Sequence, residues 1–369
     1  MLSREVLKDL GNLHFSPYLI TSLYLNVSPL VNPKGEYKII WKSLRKNVLE
    51  SLNLDGEIKK SVLEDLEKIE HIIDQGSFDS ANTIILFSCS AKNWSYMIPL
   101  YPSLKNKLIV DKDPYTRPLS HLLIANSPYY LVIISKGNAR IFKYFLGEIT
   151  EEGEIKKEIP KKHKQGGWEA TNWQRWHETH VLWHFKEVVD FLDKKVEAKE
   201  KIILGSTSPK NISEFLDILP KRLRELIIGE ISIDIESPIK EILEKALEFI
   251  EKYEESEISD LTDSLIVTSA KGKEATLGIE NVAYAVHEKR VQTILVDNSF
   301  ELSGFQCPSC AFISSYLEEC PFCNKPMDKR ADIVDELIEE AIINGAELKY
   351  IKNSELSNKI QNIGSFLRY

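Results

Sequence analysis

Apolar and polar positions repeat along this chain with two different periods. Short apolar runs bounded by proline, glycine or asparagine predict β-strands, and runs that repeat every three to four residues predict amphipathic helices. Predicted strands lie at residues 16–28, 82–89, 94–101, 201–207, 226–235, 291–297, 346–351 and 362–369. A β-hairpin with its turn at Gly137 and Asn138 is predicted within 129–149. Predicted helices lie at residues 2–13, 209–219, 238–255 and 331–344, with two more between 36 and 74.

The order of these elements predicts an α/β protein with three domains, each a mixed sheet with helices. A chain of 369 residues exceeds what one hydrophobic core usually organises. Residues 101–118 contain three prolines and little periodicity, which favours a linker. We expect an N-terminal α/β domain at 1–122 and a middle α/β domain at 123–257 that carries a glycine-tipped loop at 156–172. The third domain, at 258–369, is expected to be an α/β sandwich with a cysteine-bearing insertion at 305–326.

Composition places the chain among soluble globular proteins. The hydrophobic fraction is 43% and the charged fraction is 28%. No run approaches the roughly 18 apolar residues of a membrane span, and the first ten residues lack the features of a signal peptide. We therefore expect a cytoplasmic protein with no membrane partner.

The net charge of −9 is unevenly distributed. Between Glu230 and Asp263, twelve acidic residues face three lysines, and 3 − 12 = −9 equals the imbalance of the whole chain. The remainder is close to neutral, which leaves a basic segment elsewhere free to act locally.

That basic segment is PKKHKQGGWEATNWQRWHETHVLWHFK, residues 160–186. Gly166 and Gly167 allow its tip to approach another surface closely, because neither carries a Cβ atom. The flanking cations suit a phosphate-rich partner. They are Lys156, Lys157, Lys161, Lys162, Lys164, Arg175 and Lys186, with His163 among them. A mobile hairpin with solvated lysines is the alternative.

A helix is expected to follow the glycines, capped by Thr171 or Asn172. The side chains predicted to form one broad face that docks on a sheet are Trp173, Trp176, His180, Trp183, His184 and Val188. The positions of His177, His180 and His184 place them near one face of this helix, where they could in principle bind a metal ion. No neighbouring carboxylate or cysteine pattern completes a catalytic site, so core or RNA-contacting histidines are the preferred interpretation.

Two C-x-x-C motifs form the clearest chemical pattern. Cys307 and Cys310 are followed, after nine residues, by Cys320 and Cys323. Two such knuckles can place four thiolates tetrahedrally around a structural Zn²⁺, with no open position for catalysis. Disulfides and a dithiol redox site are the competing interpretations. The expected cytoplasmic compartment disfavours disulfides, and the second C-x-x-C motif disfavours a redox site. Cys89 lies in an apolar strand and is expected to be a core residue.

The segment PKKHKQGGWEATNWQRW closely resembles the PKKHGRGGQSALRFARLR-type loop of the class-1 peptide chain release factors of archaea and eukaryotes. That family includes Pelota-like proteins. WEATNWQRWHETHVLWH is more similar still to the bacterial archaeo-eukaryotic release factor family. TLGIENVAYAVHEKRVQTILVDN, CPSC and NIGSFLRY are similar to the family's C-terminal domain. The resemblance covers essentially the whole chain.

The resemblance implies a ribosomal role. In these factors the N-terminal domain faces the small subunit, a GGQ tip enters the peptidyl transferase centre, and the C-terminal domain docks a translational GTPase. The implied partners are the ribosome with the rRNA of its A site, a translational GTPase and tRNA. The implied rRNA-binding residues are Lys161, Lys162, His163, Lys164, Gly166, Gly167, Trp168 and Arg175.

Trp168 stands where the family carries the glutamine that helps to place the hydrolytic water. An indole donates one hydrogen bond and accepts none, so it cannot orient water as an amide carbonyl does. We therefore expect a factor that occupies the A site of idle or stalled ribosomes, in hibernation or rescue, without hydrolysis. A peptidyl-tRNA hydrolase, or a tRNA nuclease, stays open as the alternative, with His163, Gln165 and Gln174 as candidate catalytic residues.

Overall fold

The computed structural model describes residues 2–369 except 30, 34, 52–53, 55, 77, 79–80, 159–167, 273 and 331, and leaves the side chains of residues 4, 51 and 168–174 undescribed. The chain forms two compact units. One contains Met1–Ala125 together with Ile258–Tyr369, and the other contains Asn126–Glu257. The three-domain division stays a prediction, and its first and third domains share one compact unit here. No helix among the described residues is both long enough and apolar enough to cross a bilayer.

The N-terminal segment is an antiparallel sheet of order β3-β2-β1-β4 covered by helices. Its elements are α1 Arg4–Gly11, β1 Ile20–Asn26, α2 Tyr37–Ser51, α3 Gly56–Gln75, β2 Thr83–Cys89, β3 Trp94–Leu100, β4 Lys107–Asp111 and α4 Arg117–Ala125. Trp41 of α2 and Leu66 of α3 pack against Leu23 of β1. Strand β4 pairs with β1, opposing Leu108 to Leu23, so part of the predicted linker 101–118 belongs to the sheet.

The middle unit is a five-stranded sheet of order β7-β6-β5-β8-β9 between two helical layers. Its elements are β5 Tyr129–Ile134, β6 Asn138–Phe145, β7 Glu148–Lys156, α5 Trp168–Lys195, β8 Lys201–Gly205, α6 Pro209–Ile218, α7 Lys221–Arg224, β9 Ile227–Ile231 and the first part of α8 Ile239–Ala270. Alternate residues of β5 face opposite layers. Val132 packs with α5 and α6, and Leu131 packs with α8. The predicted hairpin at Gly137 and Asn138 is confirmed as β5–β6.

Helix α8 is longer than the sequence pattern predicts, since it continues past residue 255 through the acidic stretch. Glutamate has a high helix propensity. Ion pairs between residues four apart, Glu241 with Lys245 and Glu248 with Lys252, offset part of the repulsion along this helix.

The C-terminal segment is an α/β sandwich with an inserted three-stranded ribbon. After α8 come β10 Ala275–Leu277, α9 Ile279–His287, β11 Val291–Asp297, β12 Gly304–Gln306, β13 Ile313–Ser314, β14 Asp328–Arg330, α10 Ile333–Ile343, β15 Glu347–Ile351, α11 Ser354–Lys359 and β16 Ile363–Leu367. The main sheet has the order β10-β16-β11-β15, and the ribbon has the order β13-β12-β14. Helices α9 and α10 cover one face, and Leu265 and Ile360 pack on the other. The predicted fold class is confirmed.

A partly buried ionic cluster joins α4 to α10. The Arg117 guanidinium lies 3.2 Å from carboxylate oxygens of both Asp335 and Glu336 and 2.5 Å from one of Glu339. The Tyr115 hydroxyl donates to Asp335 at 2.6 Å. Removing one member of such a cluster leaves the partly buried charges of the others without their partner, which destabilises the contact. The N-terminal and C-terminal segments are therefore held together by specific charge pairing.

His121 of α4 lies inside this cluster, with its Nδ1 atom 3.6 Å from Asp335. Burial lowers its pKa to about 4, against the opposing effect of Asp335, and Arg117 and Lys107 lower it further. Burial alone would raise the pKa of Asp335, but the Tyr115 hydrogen bond and the neighbouring cations hold it below its usual value. His121 is therefore neutral, and Asp335 charged, in the folded protein near neutral pH.

The first prediction follows from His121. An unfolded histidine binds its proton near pH 6.5, and the folded one does so only near pH 4. Between these values the unfolded state binds more protons, so the free energy of unfolding should fall as the pH drops, by at most about 3 kcal/mol. Urea unfolding across this range should show a smaller fall for His121→Gln than for the wild type. His71→Gln, at an exposed position of α3, is the matched control. An unchanged slope in His121→Gln would contradict the assignment.

Candidate functional site: helix α5 and the four-cysteine cluster

The glycine-tipped loop joins β7 to α5, and most of it lies outside the described residues. The undescribed candidates are Lys161, Lys162, His163, Lys164, Gln165, Gly166 and Gly167. Trp168 is the first residue of α5, and Gln174 lies in its second turn, both without a described side chain. Arg175 is exposed on the same helix. The roles assigned to these residues stay predictions.

Helix α5 begins at Trp168, so the predicted cap at Thr171 or Asn172 is wrong. Glutamate and alanine at positions 169 and 170 have high helix propensities, and they extend the helix by a turn toward the glycines. The loop therefore enters a helix directly at the residue that follows Gly-Gly.

The predicted sheet-docking face of α5 is only partly correct. His184 and Val188 are buried, as expected, but Trp176 and Trp183 are 46% and 49% exposed. The residues that pack into the core are Val181, Phe185, Val188, Val189 and Leu192. These smaller side chains fit the layer between the helix and the sheet, and helical geometry then turns Trp176 and Trp183 toward solvent.

The base of the loop is tied to the middle sheet at Lys157, directly after β7. Its backbone N–H donates to the Gly137 carbonyl at 2.8 Å. Its ammonium group lies 2.5 Å from the Glu187 carboxylate and 6.0 Å from the centre of the Trp183 ring. Strand, loop base and helix are thereby joined at one lysine.

The α5 histidines do not assemble a metal site with other ligands in the described part of the chain. Burial lowers the pKa of His184, which is therefore a neutral core residue. His180 lies between two tryptophans, with ring centres 4.5 Å from Trp176 and 5.1 Å from Trp183. These positions agree with the preferred interpretation of the histidines.

The four cysteines predicted as metal ligands come together in the inserted ribbon. The sulfur atoms of Cys307, Cys310, Cys320 and Cys323 all lie within 4.8 Å of one another. All are free thiols, so the expectation against disulfides agrees with the structure. Four sulfurs at this spacing can bind a metal ion and fill its coordination sphere. Cys89 is buried in β2, away from the cluster, as predicted.

The two knuckles repeat the same backbone geometry. The N–H of Ala311 donates to the Cys307 carbonyl at 2.9 Å, and the N–H of Asn324 donates to the Cys320 carbonyl at 2.8 Å. Ala311 and Asn324 both have positive φ angles, 57° and 52°. Each turn points its two sulfurs toward the other knuckle, and the pair forms a closed four-sulfur set.

In the first knuckle the backbone favours a thiolate at Cys307, whereas burial raises the pKa of Cys310. Burial alone would raise the pKa of Cys307, but the N–H groups of Ser309 and Cys310 donate to its sulfur and lower the pKa to about 7. The deprotonated form is the one that binds a metal ion.

Sequence reasoning missed Lys157 as the tie at the loop base, and Arg117 as the centre of the ionic cluster. Strand β7, Glu148–Lys156, leads to Lys157, but its alternation of apolar and polar residues is weak because most of its side chains are exposed. Arg117 and Asp335 are 218 positions apart, and no local pattern links them.

Comparison with known proteins gives a consistent result. The sequence profile of bacterial archaeo-eukaryotic release factor family 10 matches residues 114–251. Peptide chain release factor subunit 1 of Archaeoglobus fulgidus is 26% identical over 274 residues, which span 69% of this chain and 66% of that relative. The same factor of Thermoplasma acidophilum is 22% identical, with 97% of this chain and 91% of the relative aligned.

Two solved structures show a more distant likeness. The archaeal translation termination factor is 17% identical over 99% of this chain and 96% of its own, with a TM-score of 0.29. Dom34 of S. cerevisiae, a translation termination-like factor, is 12% identical over 78% and 79% of the two chains, with a TM-score of 0.44. The predicted resemblance is confirmed by the sequence comparisons: the chain is similar to peptide chain release factor subunit 1 of archaea, and its residues 114–251 match family 10 of the bacterial archaeo-eukaryotic release factors.

Proposed function

We propose that this release-factor-like protein binds the ribosome and occupies the A site when the ribosome is idle or stalled, in hibernation or rescue. The loop Gly166-Gly167-Trp168 is directed at the peptidyl transferase centre. The N-terminal segment faces the small subunit, and the C-terminal segment binds a translational GTPase. The protein acts in the cytoplasm and also contacts tRNA.

One observation carries the proposal. The alignment with the Thermoplasma acidophilum release factor subunit 1 covers 97% of the chain, yet a tryptophan follows the two glycines. An indole has no hydrogen-bond acceptor, so it cannot orient a water molecule for attack on an ester. Similarity to a release factor over nearly the whole chain, without the hydrolytic amide, supports a factor that binds the ribosome and does not cleave peptidyl-tRNA.

The second part of the proposal is that the four-cysteine cluster binds one Zn²⁺. A closed set of four thiolates is the donor set of structural zinc sites, and it leaves no position for a substrate or water. The four sulfurs link β12, β13 and β14, which have few residues and a small core of their own. The metal would therefore stabilise the ribbon.

A second function is an active release factor or peptidyl-tRNA hydrolase, favoured by the relatives, which are themselves peptide chain release factors. A tRNA nuclease is a less favoured enzymatic alternative. In either case His163, Gln165 or Gln174 would have to supply the missing acceptor, since each has a nitrogen or oxygen lone pair that an indole lacks.

For the metal, we expect about one zinc ion per chain, because four thiolates complete its coordination. Cys320→Ser removes one ligand, so it should lower the zinc content and loosen the C-terminal segment. Elemental analysis with limited proteolysis would measure both effects. Cys89→Ala alters a cysteine outside the cluster and should keep the zinc. Metal-free native protein with an intact ribbon would refute the assignment.

For the basic loop, we expect ribosome affinity to fall steeply with salt, since each lysine–phosphate contact releases a condensed counterion. Replacing Lys161, Lys162 and Lys164 together by Glu should weaken binding and flatten the salt dependence. The matched control changes the same charge on α8, by replacing Lys240, Lys245 and Lys252 with Glu. Ribosome co-sedimentation at several salt concentrations compares them. Equal loss in both variants would show that net charge, and not this loop, drives association.

For Trp168, we expect the wild type to bind vacant or stalled ribosomes and to release little peptide in a single-turnover assay. Trp168→Ala should weaken binding, because stacking on a nucleobase is worth about 1–3 kcal/mol. Trp168→Gln should also bind more weakly, but it restores an amide after the glycines and should gain measurable release. Strong release by the wild type that is abolished by changing Gln165 or Gln174 would instead establish the hydrolase.

A further inference from the structure

The solvent-facing side of α5 carries a row of aromatic side chains. Trp176, His180 and Trp183 share one face of the helix, while Val181 and Phe185 lie on the opposite side, in the core. Both tryptophans are about half exposed, although tryptophan is highly buried on average. Two such large side chains on the outer face of one helix indicate a surface that contacts a partner.

The row is ordered by its own contacts. The His180 ring lies between the two indoles, at 86° to Trp176 and 81° to Trp183. Its Nε2 atom is buried, and the Lys157 ammonium group lies 6.0 Å from the Trp183 ring centre. Because these contacts already restrict the indoles, a partner loses little side-chain entropy when it binds them.

Three described cations lie near the row. Along α5 from residue 175 to residue 187, Arg175 and Lys186 accompany Glu178 and Glu187, and Lys157 adds a third cation from the end of β7. Arg175 and Lys186 are exposed on one flank of the row, and Lys157 lies beside Trp183. Glu187, the ion-pair partner of Lys157, ends the row on its C-terminal side. The cores of protein–protein interfaces are depleted of lysine. Aromatic side chains with lysine and arginine beside them therefore favour a polyanion over a protein as the partner.

Aromatic side chains with flanking cations are the usual platform for unpaired nucleic acid, because every base has a face that can stack. Trp176 and Trp183 are seven residues apart, about 10 Å along the helix axis, which about three nucleotides span at roughly 3.4 Å each.

We propose that the Trp176–His180–Trp183 face of α5 is a stacking surface for unpaired RNA bases, with the phosphates held by the exposed Arg175 and Lys186. The three aromatic residues of this surface follow the glycine-tipped loop in the sequence and are not among the rRNA-binding residues that the resemblance implies. The proposal rests on the ribosomal function above for the source of the RNA, which is an unpaired segment of ribosomal or transfer RNA.

The test uses the full-length protein and a short fluorescent RNA oligonucleotide without secondary structure, at low salt. Fluorescence anisotropy should show that Trp176→Ala and Trp183→Ala each weaken binding by about tenfold. Trp176→Phe and Trp183→Phe keep an aromatic face and should retain most of the affinity. Leu182→Ala is the matched control, since Leu182 is an exposed apolar residue of the same helix. The same RNA in a duplex should bind more weakly than the single strand.

Ribosome co-sedimentation of the same variants separates this proposal from the proposed function. If the wild type binds ribosomes, and both alanine variants bind ribosomes and oligonucleotide as tightly as the wild type, the stacking surface is wrong and the ribosomal function stands. If the wild type does not bind ribosomes, but its oligonucleotide binding depends on Trp176 and Trp183, the ribosomal function is wrong and the stacking surface is supported. Equal binding of duplex and single strand would also overturn the stacking surface.

Discussion

Packing of helix α5 against the middle sheet is the contact on which the loop depends. Phe185, Val188 and Leu192 fill the layer between this helix and strands β5 and β8. Strand β7 leads into the loop at Lys156, and α5 begins at Trp168. Both ends of the loop therefore start from one hydrophobic core. This core therefore fixes the positions of the two residues from which the loop extends.

Groups that carry, or can carry, negative charge are close together at two places, the ionic cluster and the four-cysteine cluster. Their charge is compensated differently at each. In the cluster between α4 and α10, Arg117 pairs with three carboxylates, and Lys107 lies 3.9 Å from one of them, Asp335. In the ribbon, four cysteine sulfurs lie within 4.8 Å of one another. If those sulfurs are to be thiolates together, a cation from solution must compensate them. The first cluster takes its cations from the sequence, whereas the second is a donor set that can bind a metal ion.

Much of this architecture is readable from the sequence because it is encoded locally. The continuous apolar runs of β1 and β5 and the spacing of the four cysteines are local patterns, and the structure agrees with them. Long-range relations are not readable in this way. Prolines near β4 suggested a linker, because the partner strand β1 that buries Leu108 is far away in the chain.

The direction of the α5 tryptophans could not be predicted for a related reason. Helical spacing shows which residues share a face, but it does not show which face meets the sheet when aromatic and aliphatic stripes compete. The aliphatic stripe of Val181, Phe185 and Val188 fits the available layer, so Trp176 and Trp183 remain outside. The candidate loop residues themselves were found only through family resemblance, since Gly-Gly with flanking charge is common in surface hairpins.

The repeated geometry of the cysteine knuckles has a consequence for how the ion is captured. Each turn is closed by backbone hydrogen bonds within six residues of chain, so each knuckle is a separate bidentate clasp. An ion bound first by one clasp meets the second at a high effective concentration, because a chain of only nine residues joins them. Chelation by the second clasp would then be an intramolecular step, and an ion released by one clasp would still be held by the other. For the metal ion proposed above, slow exchange would follow from the duplication of a single turn.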